Sequence, residues 1–107
     1  MSSSPVLDPA LFADKATLAA ALLRAMSNEH RLMILCRLGA GDMAVAEIGK
    51  GMPLSQSALS QHLAILRDQK LVSTQRQGLQ VRYRIANSVV LQLIGVLGRH
   101  FCPELFE

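Results

Sequence analysis

Two thiols, Cys36 and Cys102, are the side chains of this 107-residue chain that are best suited to covalent chemistry. A thiolate is a nucleophile and a soft metal ligand, so a pair of thiols can react together or contribute to a metal site. Two cysteines are too few for a disulfide scaffold, and no CxxC motif is present. The simpler alternative is that each thiol is a small apolar residue, which suits Cys36 beside Leu32 and Leu35.

A second chemical feature is a row of small polar side chains on a predicted helix that starts after Ser55 and runs to about Gln69. At 100° per residue, Leu59, Leu63 and Leu66 share the side that faces a core. The side chains on the opposite side are short and polar, as a helix in the DNA major groove requires, and glutamine can pair bidentately with adenine. The candidate DNA contacts on this helix are Ser55, Gln56, Ser57, Ser60, Gln61, His62 and Arg67.

Arginines flank the next predicted element, a two-stranded hairpin. The segments 71–76 and 79–85 alternate with a period of two around Gln77-Gly78. Arg76, Arg82 and Arg84 suit phosphates or the minor groove. An ordinary solvated surface is the alternative for any one of these side chains, but the layout as a whole favours double-stranded DNA. A protein-interaction module without DNA readout remains the alternative of another class, and the salt dependence of duplex binding separates the two.

Four further helices are predicted to position these residues, and the order α-α-α-α-β-β-α is that of a mainly α, winged helix-turn-helix domain with a β-hairpin wing. They cover residues 9–26, 29–38, 44–49 and 88–102. We expect one domain over 9–103, a disordered tail over 1–8 and a C-terminal tail over 104–107.

The last helix has two apolar rows, which indicates packing against both its own core and a partner protomer. The rows are Val90, Ile94, Leu97 and Phe101, and Leu91, Gly95, Gly98 and Cys102.

Composition excludes several classes of protein. Half of the residues are apolar and the net charge is only +3, which argues against disorder. Aromatic residues make up 4%, too few for a single-strand stacking surface. No apolar run is long enough for a membrane span and no secretory signal is visible, so we expect a cytoplasmic protein without a membrane partner. No phosphate loop, nucleophile elbow or HExxH motif is present, so neither enzyme activity nor a cofactor is predicted.

Two segments carry a resemblance to a known family. Residues 28–35, NEHRLMIL, and 54–67, LSQSALSQHLAILR, resemble the signature and the recognition helix of the ArsR/SmtB family, and residues 71–85 resemble its wing. Glu29 replaces the usual proline, and Lys70 stands where a glycine often precedes the wing. The resemblance implies a homodimeric transcriptional repressor, joined through its first and last helices, that releases palindromic operator DNA on sensing an inducer.

The resemblance also bears on the inducer. Many members of the family sense metals, but the third helix lacks their CxC pair and the last helix has only His100 of their Asp/His ligands. No metal site is therefore predicted. The remaining pair, Cys36 and Cys102, resembles the dithiol branch of the BigR, SqrR, YgaV and HlyU type. That resemblance implies that persulfides or polysulfides react with the two thiols and bridge them with sulfur. A metal-responsive or a general peroxide-responsive repressor is the alternative.

Overall fold

The computed structural model describes residues 8–105, which form five α-helices, a three-stranded antiparallel sheet and a short 3-10 helix. The elements in chain order are α1 Pro9–Met26, α2 Glu29–Leu38, β1 Met43–Ala44, α3 Val45–Gly49, α4 Gln56–Asp68, β2 Val72–Gln77, β3 Gln80–Ile85, α5 Ser88–Phe101 and the 3-10 helix Pro103–Leu105. The predicted fold class, mainly α with a winged hairpin, is confirmed. The predicted N-terminal tail lies outside the described residues except for Asp8, whose side chain caps α1.

The sheet differs from the prediction by one strand. β1 pairs antiparallel with β3, Met43 opposite Tyr83 and Ala44 opposite Arg82, and the strand order is β1-β3-β2. Ala44 was predicted to start the third helix, but that helix begins one residue later. A two-residue strand has too few positions to show a period, so only its partner in space defines it.

The turn of the wing and the C-terminal end of the chain also differ in detail from the prediction. Gln77 pairs with Gln80, so the turn of the wing is Gly78–Leu79, one residue later than predicted. Gly78 has a φ of 62°, a left-handed conformation that glycine adopts without steric cost. In the predicted C-terminal tail, residues 104 and 105 belong to the 3-10 helix, and residues 106–107 lie outside the described range.

Helix α4 is held at both ends by local hydrogen bonds. The Ser55 side chain accepts from the Ala58 N–H at 3.1 Å, as the predicted cap requires. At the other end Lys70 has a φ of 65°, and the Leu71 N–H donates to the Leu66 carbonyl at 2.9 Å. This is a Schellman motif, in which glycine is the usual left-handed residue. Lys70 adopts the same conformation, so its departure from the family pattern leaves the end of the recognition helix intact.

The core forms where the end of α1, helices α2 to α5 and the start of β2 meet. Leu59, Leu63 and Leu66 are buried, which confirms the predicted core face of α4. The other fully enclosed side chains of this core include Ile34, Leu35, Ile48, Leu71, Val90 and Ile94. Because α4 buries its leucines here, its polar side is directed to solvent.

In α5 the buried residues come from both predicted apolar rows. Val90 and Ile94 of the first row and Gly98 of the second are buried, whereas Leu97 is exposed and Phe101 is 72% exposed. The buried line therefore advances four residues at a time and stops at Gly98. The last turn of the helix extends beyond the core, which leaves Phe101 at the surface.

A large apolar surface remains uncovered on α1 and α5. Of the 18 residues of α1, only Ala25 and Met26 are buried. The exposed large apolar side chains of these two helices are Leu11, Phe12, Leu18, Leu23, Val89, Leu91, Val96, Leu97 and Phe101. Monomeric proteins rarely leave so much contiguous apolar surface in water.

No helix within residues 8–105 is both long enough and apolar enough to cross a lipid bilayer.

Candidate DNA interface and thiol site

The outward side of α4 carries the predicted contacts at its N-terminal end. Gln56, Ser57, Ser60 and Gln61 are all exposed. The Ser57 hydroxyl lies 3.3 Å from that of Ser55, whose oxygen also caps the helix. Free backbone N–H groups and hydroxyls at a helix N-terminus suit a phosphate, and the two amides are available for base edges. Arg67 is exposed nearer the C-terminal end of α4.

His62 has a different environment from the other predicted contacts. It is half-buried, and its Nδ1 lies 3.3 Å from Arg31 Nη1. Its pKa is lowered, first by partial burial and then by the positive charges of Arg31 and His30. Arg31 Nε also donates to the Ala25 carbonyl at 2.6 Å, so this arginine ties α1 and α2 to α4. Nothing in the residue pattern predicts this link, and the structure places His62 towards α2 rather than on the open polar side.

The three wing arginines are not equivalent. Arg76 and Arg84 are exposed. Arg82 is ion-paired with Glu47 at 3.3 Å and Asp42 at 3.6 Å, and it donates to the Asp42 carbonyl at 2.9 Å. Arg82 therefore fastens β3 to Asp42, just before β1, and to Glu47 of α3, and only part of its charge is available to a ligand.

The wing tip also exposes an apolar side chain that the sequence analysis did not consider. Leu79, in the two-residue turn, is 98% exposed. It stands beyond the paired ends of β2 and β3, at Gln77 and Gln80.

Replacing Arg82 with alanine is expected to destabilise the protein by about 1 kcal/mol, because two half-exposed ion pairs and one backbone hydrogen bond are removed. Arg84→Ala is the matched control, since Arg84 makes no ion pair within the described part of the chain. Urea unfolding of both variants measures the difference. Equal free energies of unfolding for the two variants would contradict the structural role of Arg82.

The two thiols lie on the wall of one apolar cavity of about 290 Å³, between α2 and the end of α5. Cys36 is exposed, Cys102 is half-buried and neither is in a disulfide. Their neighbours in the cavity are Leu32, Ile94, Leu97, Gly98 and Phe101. Cys36 is thus not a core residue of the described chain, and the fold brings together the two predicted sensing residues.

The environment raises the pKa of the Cys36 thiol above its ordinary value of 9.0. The main cause is partial burial, because the cavity wall keeps water from one side of an otherwise exposed residue; the second is the nearby Cys102, whose negative charge opposes a second thiolate. At neutral pH Cys36 is therefore mostly a thiol.

We expect alkylation of Cys36 by iodoacetamide to rise about tenfold per pH unit between pH 7 and 9 without levelling off, because only the thiolate reacts. The Cys102→Ser variant removes the charge of the second thiol, so its Cys36 titration midpoint is expected to be lower than in the wild-type protein. Peptide mass spectrometry of the alkylated Cys36 measures both curves. A plateau below pH 8 in the wild-type protein would contradict the raised pKa.

Other ligand groups are sparse in the described region. Within residues 8–105 no group of three or more histidine, cysteine or acidic side chains is placed to hold a metal ion. His100 packs edge-on against the ring of Phe101, with centroids 4.7 Å apart.

Comparison with known proteins agrees with this geometry. Residues 28–74 match the family described as bacterial regulatory protein, arsR family. The chain is 45% identical over 84 residues to the transcriptional activator HlyU of Vibrio cholerae, covering 78% of each protein. It is 37% identical over 91 residues to the biofilm growth-associated repressor of Agrobacterium fabrum, covering 84% of this chain and 78% of that protein.

Solved structures show the same likeness. Reduced HlyU from Vibrio cholerae superimposes with a TM-score of 0.80 at 42% identity, over 85% of this chain and 96% of that one. The homodimeric winged helix-turn-helix domain of Mb0332 from Mycobacterium bovis gives 0.75 at 27% identity, over 98% and 94%. The resemblance predicted from the two motifs is confirmed, and this chain belongs to the ArsR/SmtB family of DNA-binding, winged helix-turn-helix transcriptional regulators.

Proposed function

We propose that the protein is a cytoplasmic, homodimeric repressor that releases operator DNA when Cys36 and Cys102 react with persulfides or polysulfides. The observation that carries the proposal is that both thiols, unbridged, line the same apolar cavity. One thiol belongs to α2 and the other follows α5, so a bond between them would join two elements of the core.

The sulfur chemistry takes two equivalents of a persulfide, RSSH. The Cys36 thiolate attacks the terminal sulfur, forming Cys36–S–SH while the old S–S bond breaks and RS⁻ leaves with its electron pair. A second equivalent extends this to Cys36–S–S–SH and releases another RS⁻. The Cys102 thiolate then attacks the sulfur next to the Cys36 Sγ and displaces HS⁻. The product is a trisulfide: the two thiols are oxidised and one transferred sulfur is reduced to sulfide.

An added sulfur atom lengthens the bridge. A plain disulfide requires Cα atoms within about 7 Å of one another, whereas a trisulfide spans a wider gap. The cavity of about 290 Å³ has room for that sulfur without displacing core side chains. We expect persulfide, rather than peroxide, to bridge the thiols, which requires Cα atoms too far apart for a plain disulfide.

The bridge acts on DNA through α2. This helix packs directly on α4 and α5, and its Arg31 contacts His62 of the recognition helix. Fixing α2 to the end of α5 is expected to favour an arrangement in which the two recognition helices of a dimer no longer match successive major grooves. A change in relative populations of two states is sufficient for release.

The dimer in this proposal uses the uncovered apolar surfaces of α1 and α5. Pairing of α1 and α5 across a twofold axis would cover part of this surface and present two copies of α4 to a palindrome. The homodimeric relative Mb0332 supports this arrangement. The exposed Gln56, Ser57, Ser60, Gln61, Arg67, Arg76 and Arg84 are the proposed DNA contacts, with smaller roles for Ser55, His62 and Arg82, which already bind other groups.

Selection from a random duplex pool, followed by fluorescence anisotropy on the enriched site, tests the DNA-binding part of the proposal. We expect a palindrome whose half-sites are about one helical turn apart, and an affinity that falls log-linearly with salt concentration. Failure to enrich any duplex, with binding that does not respond to salt, would instead favour the protein-interaction module.

A further inference from the structure

Cys36 stands between two cavities, and only one of them reaches Cys102. The other, of about 580 Å³, lies between the end of α2 and the first half of α5. Its volume is within the range of about 300–1,000 Å³ for small-molecule sites. Besides Cys36, the residues that matter for its chemistry are Arg37, Gly39, Ala40, Leu91 and Gly95.

The wall of this second cavity is mostly apolar, and Arg37 is its one charged lining residue in the part of the chain that the structure describes. Arg37 Nη1 donates to the backbone carbonyls of Glu47, Ile48 and Lys50, so this guanidinium is already engaged with residues that do not line the cavity. A second guanidinium, that of Arg99, lies close to the cavity wall, because a Cβ built on Gly95 would lie 3.2 Å from Arg99 Nη1.

Neither arginine forms an ion pair within residues 8–105, where the salt bridges belong to Arg82. The cavity therefore combines an apolar surface and a thiol with the nearby Arg99 guanidinium, which has no carboxylate or carbonyl partner within residues 8–105. A ligand that matches it carries an anionic group and an electrophilic sulfur.

We propose that the second cavity binds the organic part of a carboxylate-bearing persulfide and presents its terminal sulfur to Cys36. This inference rests on the proposed sulfur-sensing function and adds a recognition site to it. A carboxylate of the donor lies near Arg99, and the Cys36–S bond forms as RS⁻ leaves within the same cavity. Cys102 closes the bridge from the opposite cavity, so donor and resolving thiol do not compete for space.

The electrostatic part of this site predicts a preference between donors. A charged cleft raises the local concentration and on-rate of an oppositely charged ligand by about tenfold or more. Glutathione persulfide carries carboxylates, whereas 2-hydroxyethyl persulfide has the same reactive group without them. The two compounds therefore separate recognition of the organic part from reactivity of the thiols.

The test measures the rate of bridge formation for both donors by quenched mass spectrometry in the wild-type protein, Arg99→Gln and Arg99→Lys. We expect Arg99→Gln to slow the reaction with glutathione persulfide about tenfold, to leave that with 2-hydroxyethyl persulfide within about twofold, and Arg99→Lys to restore most of the rate. Arg99 is exposed and outside the core, so these variants are expected to fold.

A competition on the unmodified protein provides a second test. S-methylglutathione, which has the carboxylates but no reactive sulfur, is expected to slow glutathione persulfide and not 2-hydroxyethyl persulfide. Two results would overturn the recognition site while leaving the dithiol switch in place. One is an equal rate of reaction with glutathione persulfide for Arg99→Gln and wild type. The other is equal slowing of both donors by S-methylglutathione. Absence of a bridge with either donor in the wild-type protein would instead overturn the proposed function itself.

Discussion

The Cys36→Ser variant is expected to bind operator DNA with wild-type affinity and to keep that affinity after persulfide treatment. Cys36 is exposed and lies on α2, away from the outward side of α4, so serine replaces it without creating a void or disturbing the DNA-binding surface. Without its sulfur no bridge can reach Cys102, so inducer release is abolished. Anisotropy titrations before and after treatment with glutathione persulfide measure both quantities.

Cys102→Ser is the companion variant, because the bridge needs both sulfurs. It is expected to show the same failure to respond, with a persulfide accumulating on Cys36 as the unresolved intermediate. Thermal unfolding of both variants checks that the fold is unchanged. Normal release of DNA by either variant on persulfide treatment would refute the dithiol mechanism.

Replacing Gln56 or Gln61 with alanine is expected to weaken binding to the selected operator by about 1–3 kcal/mol for each base that the removed amide would recognise. Both amides are exposed at the N-terminal half of α4, where a recognition helix approaches the bases. Non-specific binding and its salt dependence should change little, because neither side chain carries charge. Competition anisotropy against a scrambled duplex separates the two affinities.

Gln69→Ala is the matched control for these substitutions. Gln69 is an exposed glutamine at the C-terminal cap of the same helix, beside Ala21 and Arg24 of α1 rather than on the polar side. Its replacement is expected to leave operator affinity unchanged. If Gln56→Ala and Gln61→Ala behave like this control, the assignment of α4 as the reading helix is wrong.

Local signals in the sequence were sufficient to define most of the helices. Asn28 and Ser55 cap α2 and α4 through hydrogen bonds to N–H groups two or three residues ahead, and leucine spacing identifies the buried side of α4. Such interactions depend on near neighbours in the chain, so residue types and spacing are enough to predict them.

Features that depend on distant pairs were not predicted. β1 exists only because Met43 and Ala44 pair with β3, and Arg82 meets Asp42 and Glu47 only when the wing folds back on that strand. Residue type alone therefore made Arg82 look like a free cation of the wing.

The thiol site shows the same division. The sequence identified Cys36 and Cys102 as candidates, but their shared cavity follows from how the end of α5 lies on α2. The approach of Arg99 to the second cavity depends on Gly95 one turn earlier, because a side chain there would lie against the guanidinium. No sequence pattern predicts either the shared cavity of the two thiols or the second cavity.

The intact mass of the reduced protein after treatment with glutathione persulfide, and separately with peroxide, shows whether Cys36 and Cys102 form a sulfur-bridged switch. We expect added sulfur and the removal of two hydrogens with persulfide only, and a proteolytic fragment that joins Cys36 to Cys102. Removal of two hydrogens without added sulfur, produced equally well by peroxide, would show a general disulfide switch. An unchanged mass in both treatments would contradict a sensing role for the two thiols.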